Sequence, residues 1–228
     1  MNRKHAFVPD EYYHVYNRGV DKRTIFIDIH DYHRFMLLLY FCNSTEPVDM
    51  QKVFREGPTF TEFSDILKFP KAEPLVAIGA WCLMPNHFHI LIKQVAEKGI
   101  TKFMQKITTA YSMYFNQKYN RTGSLFQGKF KSENPDNDNY LKYLFSYIHL
   151  NPVKLIPAES KWKENGIKDL IRTQDFLKKY EYSSLNNYIN DNYKYEDIIN
   201  KKEFPQYFLN ADESIKEIVE WLNFNDTL

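Results

Sequence analysis

His87 and His89 flank a single phenylalanine in a run, His87 to Gln94, in which apolar and polar residues alternate. On a β-strand, residues i and i+2 project from the same face, so the two imidazoles stand side by side while Phe88 turns to the core. Two ring nitrogens at that spacing can chelate one cation. A bare His-x-His is more often two polar residues on the solvated side of an edge strand. A second pair lies further along, Tyr147 and Asn151. Four residues apart on a helix, they sit one above the other, which puts an amide oxygen, a competent third ligand, beside a phenol. The plainer alternative is a half-buried aromatic and an asparagine that ends the helix before Pro152. His149, two positions from Tyr147, points elsewhere on a helix and is not nominated as a base.

These residues need elements to carry them. Tyr12 to Arg18 is aromatic and β-branched and stops at Gly19, which predicts a strand. Asp28 to Asn43 repeats apolar residues near a 3.6-residue period, with Asp28 or Asp31 as its cap. Leu75 to Met84 is a continuous apolar run, a buried strand joined to the His87–Gln94 strand by the turn signal Pro85-Asn86. Ile100 to Tyr119 reads as a helix, Leu125 to Ser132 as a strand, and Asn134 to Asp138 opens a helix running to Leu150. The order strand, helix, strand, strand, helix, strand matches the split β-α-β-β-α-β arrangement, a ferredoxin-like α+β fold. Residues 1–155 form this unit. The stretch 44–72, with three prolines and no period, reads as an insertion or long loop. Residues 156–228 form a mostly helical extension, with helices expected near Asn187, Glu196 and Ile215.

The 228 residues include 17 Tyr and 18 Phe but two Cys, neither in a metal-type or disulfide spacing, which suits a reducing compartment. No apolar stretch follows the basic start, and Pro74 to Met84 is too short to span a bilayer, so a cytoplasmic protein is expected. The formal net charge is +1, yet Thr101–Lys163 holds ten Lys/Arg against four Asp/Glu, and Asp175–Leu228 six Lys against eleven Asp/Glu. A basic middle suits a polyanion. Candidate contacts are Arg18, Lys22, Arg23, Arg121, Lys129 and Lys131, with Phe126 as a stacking platform for a base. Gly123 to Lys129 fits the opening of a phosphate-binding P-loop, but Phe130 stands where a magnesium-binding hydroxyl is required, which argues against nucleotide hydrolysis.

Four motifs occur together in this order: Tyr13-His14-Val15-Tyr16-Asn17-Arg18-Gly19, Trp81 through His89, Gly123 through Ser132, and Tyr147-Ile148-His149-Leu150-Asn151-Pro152-Val153-Lys154. The chain thereby resembles the single-tyrosine HUH transposases, and within them the REP-associated tyrosine transposases of the IS200-like group, over roughly residues 8–155. The resemblance implies a nuclease that cuts and rejoins single-stranded DNA, with hairpins of palindromic repeats as substrate. It implies a Mg²⁺ or Mn²⁺ cofactor on His87, His89 and Asn151, and a 5′-phosphotyrosine intermediate on Tyr147. A homodimer and a monomer are both compatible with it. Two other readings share these residues: a domesticated, non-catalytic hairpin-binding protein, and a hydrolase of a small phosphorylated substrate.

Overall fold

A computed structural model of the chain describes residues 6–49, 52, 53, 55, 62–191, 193–207 and 218. Four strands form one antiparallel sheet: β1 (Tyr12–Arg18), β2 (Val76–Met84), β3 (His87–Gln94) and β4 (Lys131–Glu133). Their order across the sheet is β2-β3-β1-β4. With α1 (Ile29–Phe41) between β1 and β2, and α3 (Gly99–Lys118) between β3 and β4, this is the ferredoxin-like topology expected. A short α2 (Phe63–Ile66) lies within the 44–72 stretch, and α4 (Asp138–Leu150) follows β4.

The sheet separates two apolar layers. Val15, Ile78, Trp81, Leu83, Phe88, Ile90 and Ile92 pack with Phe35 and Leu39 of α1 and with Phe103, Ile107 and Tyr111 of α3. On the opposite face Ala77, Ala80, Cys82, Met84 and Leu91 meet Leu141, Phe145 and Ile148 of α4. All nine residues of β2 are buried, because helices cover both of its faces. Period-2 alternation in β1 and β3 therefore sorts side chains between a helix-backed core and the face beneath α4.

Asp28 caps α1 and Asp31 answers it in a capping box. Both carboxylates are then gripped from α3: Lys118 Nζ lies 2.7 Å from Asp28 Oδ1 and 2.7 Å from Asp31 Oδ1, and Tyr119 donates to Asp31 Oδ2 at 2.8 Å. Asp31 is fully buried, which pushes its carboxyl up, but the donors outweigh burial and hold both carboxyls below the usual range.

Expectation and structure differ at β4. Only Lys131–Glu133 pairs with β1, while 125–130 keeps no more than a single bridge, Gly19 to Phe126. Gly128 has φ +74°, a left-handed conformation that interrupts the alternation running from Leu125. The P-loop-like stretch leads into this strand rather than a helix.

Beyond α4 the chain continues as a 3₁₀ turn, Asn151–Leu155, then α5 (Trp162–Asn165), α6 (Leu170–Lys179) and α7 (Leu185–Ile189). A helix expected near Asn187 is α7, the one near Glu196 is a 3₁₀ turn at Glu196–Ile198, and the one near Ile215 lies outside the described residues. Residues 182–184 run along the free edge of β2, with Leu83 N bonding Tyr182 O at 2.9 Å and Ser184 N bonding Trp81 O at 2.9 Å. The extension thereby occupies backbone groups that a bare edge strand would expose.

Candidate active site

The β2–β3 turn is buttressed by the loop after β1. Gly19 N bonds Asn86 O at 2.9 Å, and Ile25 and Phe26 N both bond Pro85 O. A Cβ on Gly19 would stand 2.4 Å from Arg23 O, so no side chain fits this bend. Gln127 N and Val20 N then pair with Arg18 O and Leu125 O, and the first three motifs converge on one corner.

Beneath α4 the sheet presents His87 and His89 from β3, His14 and Tyr16 from β1, and Glu133 from β4. The two β3 imidazoles lie 5.0 Å apart, centroid to centroid. Register places Tyr16 opposite both His89 and Lys131, and Arg18 opposite His87. Burial pushes the His87 ring down to about 4, helped by Lys154 and Arg18. Burial likewise holds His89 well below its ordinary value, followed by the neighbouring His14 and His87. Both rings are thus neutral at neutral pH, the form that ligates metals. Asn86 Nδ2 donates to Lys22 O at 3.1 Å, which orients the amide so that Oδ1 accepts from His87 Nδ1 at 2.5 Å. His87 therefore offers its Nε2 lone pair.

Tyr147 descends from α4 onto this cluster. Its ring is 5.5 Å from His89 and 6.1 Å from His14, near-perpendicular to both, within the same chain. Helical backbone persists at Asn151 (φ −51°, ψ −40°), so the Tyr147–Asn151 stacking survives the helix end. Asn151 is fully buried; its Nδ2 donates to Tyr147 O at 3.0 Å and its Oδ1 accepts from Lys154 Nζ at 3.1 Å. Burial pushes the Tyr147 phenol up to about 12, with the Asn151 amide working the other way. Lys163 Nζ sits 3.7 Å from the Tyr147 ring centroid and Lys154 Nζ 5.6 Å.

The residues fit a divalent cation in part. Among the described residues no three His, Cys, Asp or Glu side chains are arranged so that they could hold a metal ion together. A cation held by two imidazoles and an amide oxygen would keep coordination positions open for water and phosphate. One ammonium, Lys154, already rests on the amide oxygen, and a metal using Asn151 must displace it.

Of the candidate DNA contacts, Arg18, Lys22, Lys129 and Lys131 are exposed and Arg23 and Arg121 half-exposed. Arg18 and Lys131 share the histidine face; Arg121 is bonded to Asn116 and Ser124. Phe126 is 5% exposed and packs edge-on to Phe88 at 5.8 Å, so its ring is closed to a stacking base. His149 points away from the cluster, its Nε2 2.7 Å from Ser184 Oγ. Sequence reasoning missed His14, Tyr16, Glu133, Lys154 and Lys163. The i, i+2 spacing of His14 and Tyr16 was the available signal; Lys163 had none, since only the fold of the extension brings it here.

A ferredoxin-like sheet with a histidine pair on one strand and a tyrosine from the covering helix defines the class of site. Residues 48–151 match the model of the family described as Transposase IS200 like, a span that holds His87, His89, Tyr147 and Asn151. The matched span is slightly under half of the chain. A comparison with curated proteins gives no match. Among solved structures the chain is similar to a REP-associated tyrosine transposase bound to a REP hairpin, at 12% identity and a TM-score of 0.49, over 92% of this chain and 93% of that one.

Proposed function

We propose that the chain is a divalent-metal-dependent transposase that cuts single-stranded hairpin DNA with Tyr147 and rejoins it. The observation that carries this is the Tyr147 ring packed 5.5 Å from His89, with His87 beside it, in one polypeptide. The family of residues 48–151 supports the reading.

Tyr147 Oη attacks the scissile phosphorus, an Oη–P bond forms, and the P–O3′ bond breaks. The 5′ side stays on the tyrosine and the departing O3′ takes a proton to become a hydroxyl. A phosphodiester is exchanged for a phosphodiester, so a second 3′-hydroxyl reverses the step without ATP. His87, His89 and Asn151 would hold the cation, Mg²⁺ or Mn²⁺, whose contribution is to neutralise charge on the phosphate and orient it for in-line attack. At a pKa of about 12 the phenol is protonated in the free protein. The ammonium of Lys163 over its ring, and that of Lys154 once released from Asn151, favour the phenolate that forms during attack.

Strand binding falls to the exposed cations. Lys129 and Lys131 line a groove of ≈ 1330 Å³ between α3 and the 124–133 segment, with Thr108, Ser112 and Asn116 on its helical wall. Hydroxyls, amides and lysines suit a phosphodiester backbone read without sequence.

Incubation of hairpin single-stranded DNA with the protein and Mn²⁺ tests the reading. A DNA–protein adduct that survives denaturation is expected, and none with Tyr147→Phe. Hairpin binding that needs neither metal nor His87, with no adduct at all, would identify the non-catalytic binder instead.

A further inference from the structure

Behind His89 stands a second histidine that the metal site has no need of as a ligand. His14 lies diagonally across the β1–β3 ladder, its register partner being Leu91 while His89 faces Tyr16. His14 Nε2 is 2.8 Å from His89 Nδ1 and the two rings are stacked at 5.0 Å. His14 is 3% exposed, and its Nδ1 has no hydrogen-bond partner within 3.5 Å among the described residues. A carboxylate oxygen, Glu133 Oε2, lies 3.6 Å from it on β4. That carboxylate is itself held: Tyr16 donates to Oε1 at 2.8 Å and Tyr140 to Oε2 at 3.5 Å.

With both rings neutral, the contact between them can be made in two ways. Either His14 Nε2–H donates to His89 Nδ1, or His89 Nδ1–H donates to His14 Nε2. In the first, His14 Nδ1 is a bare lone pair facing a carboxylate, a repulsion inside a buried site. In the second, His14 Nδ1 carries the proton and points it at Glu133, and every polar atom in the row has a complementary neighbour. Glu133 therefore selects the second. His89 is left with its proton on Nδ1 and its Nε2 free, the same tautomer that Asn86 imposes on His87.

Building on the metal-dependent reading above, we propose that Glu133 and His14 form a positioning relay, carboxylate to imidazole to imidazole, that fixes the tautomer and orientation of His89 for cation binding. Carboxylate-backed histidines are a recurrent support for metal ligands, and loss of such a partner weakens metal affinity about 10- to 100-fold. The burial of His14 and the tethering of Glu133 by two phenols make the arrangement specific to this pair. Glu133 lies on β4, outside the strand that carries His87 and His89, so its removal leaves both ligands in place.

Two measurements on the full chain decide it. The first is ¹⁵N NMR of the histidines without metal, assigned through His14→Gln and His89→Ala. His89 as the Nδ1–H tautomer in the wild type, turning to a mixture in Glu133→Gln, is expected; an Nε2–H tautomer in the wild type overturns the relay whatever the metal does. The second is Mn²⁺ titration by calorimetry. Glu133→Gln and His14→Phe are expected to raise the Kd about 10- to 100-fold, while His14→Gln, whose amide oxygen can accept from His89 Nδ1, recovers most of it. Mn²⁺ affinity unchanged in Glu133→Gln and His14→Phe, but lost in His87→Ala, overturns the relay and leaves the metal site standing. No Mn²⁺ binding by the wild type would instead strike the metal-dependent reading, with the tautomer measurement still judging the relay.

Discussion

His149 gives the structure its clearest test by pH. The ring is fully buried between α4 and the extension, beside Phe145 and Tyr188, with Ser184 Oγ its partner. Burial depresses its pKa from 6.5 to about 3. The sign follows from where the proton binds. Between those two values the unfolded chain takes up a proton that the folded chain refuses, so stability is complete above pH 6.5 and falls as pH drops toward 3. At pH 5 the gap is one and a half decades below the unfolded value, a loss of about 2 kcal/mol, rising to about 3 kcal/mol at pH 4. For a chain of this size about 2 kcal/mol is roughly 4–8 °C in Tm. Other groups titrate over the same range, so the quantity to read is a difference. His149→Leu removes the titration, and Ser184 Oγ keeps its bonds with Trp81 N at 2.9 Å and Trp81 O at 3.3 Å. Urea unfolding followed at pH 7.5, 6, 5 and 4 should show the wild type losing about 2 kcal/mol more than the variant between the first pH and pH 5. Parallel acid limbs would mean that the ring ionises freely in the folded chain, and the buried, neutral strut would have to be abandoned.

Three further outcomes are expected. Lys118→Met takes the ammonium from the fully buried Asp31 carboxylate, leaving it only neutral donors, and should cost about 3 kcal/mol in urea unfolding, with Asp31→Asn in the same chain recovering part of it. Lys163→Met should slow adduct formation roughly two- to fivefold while Lys163→Arg stays near wild type, since the loss is that of a cation over an aromatic ring; single-turnover gels read it. A mixture of Tyr147→Phe and His87→Ala should form no adduct, and recovery of activity on mixing would show that the tyrosine is delivered by another copy.

The scaffold was legible where one period dominates. β1 and β3 begin and end at the expected residues because aromatic and β-branched content closed by Gly19 marks Tyr12–Arg18, and alternation marks His87–Gln94, with no competing period over either. Asp28 announces α1 because an acceptor at the cap and another three residues on is a local signal. β4 was overdrawn: alternation from Leu125 hid Gly128, whose positive φ turns the chain. Within the site, His87, His89 and Tyr147 were legible because each owes its place to spacing within one element. His14 and Glu133 were not, since their meeting depends on register between three strands, and register is set by the whole core. Lys163 depends on the fold of a segment with weak periodicity and few apolar anchors.

On the proposed function, a phenol and imidazoles that meet within one polypeptide would make a lone molecule the smallest working unit. Its rate per molecule should hold as the sample is diluted, where an enzyme that borrows its nucleophile from a neighbour would fall silent. A lone molecule with a single tyrosine can also keep hold of only one strand end at a time. Any exchange between two strands must then proceed in turns, the first end waiting on the phenol until a fresh 3′-hydroxyl arrives.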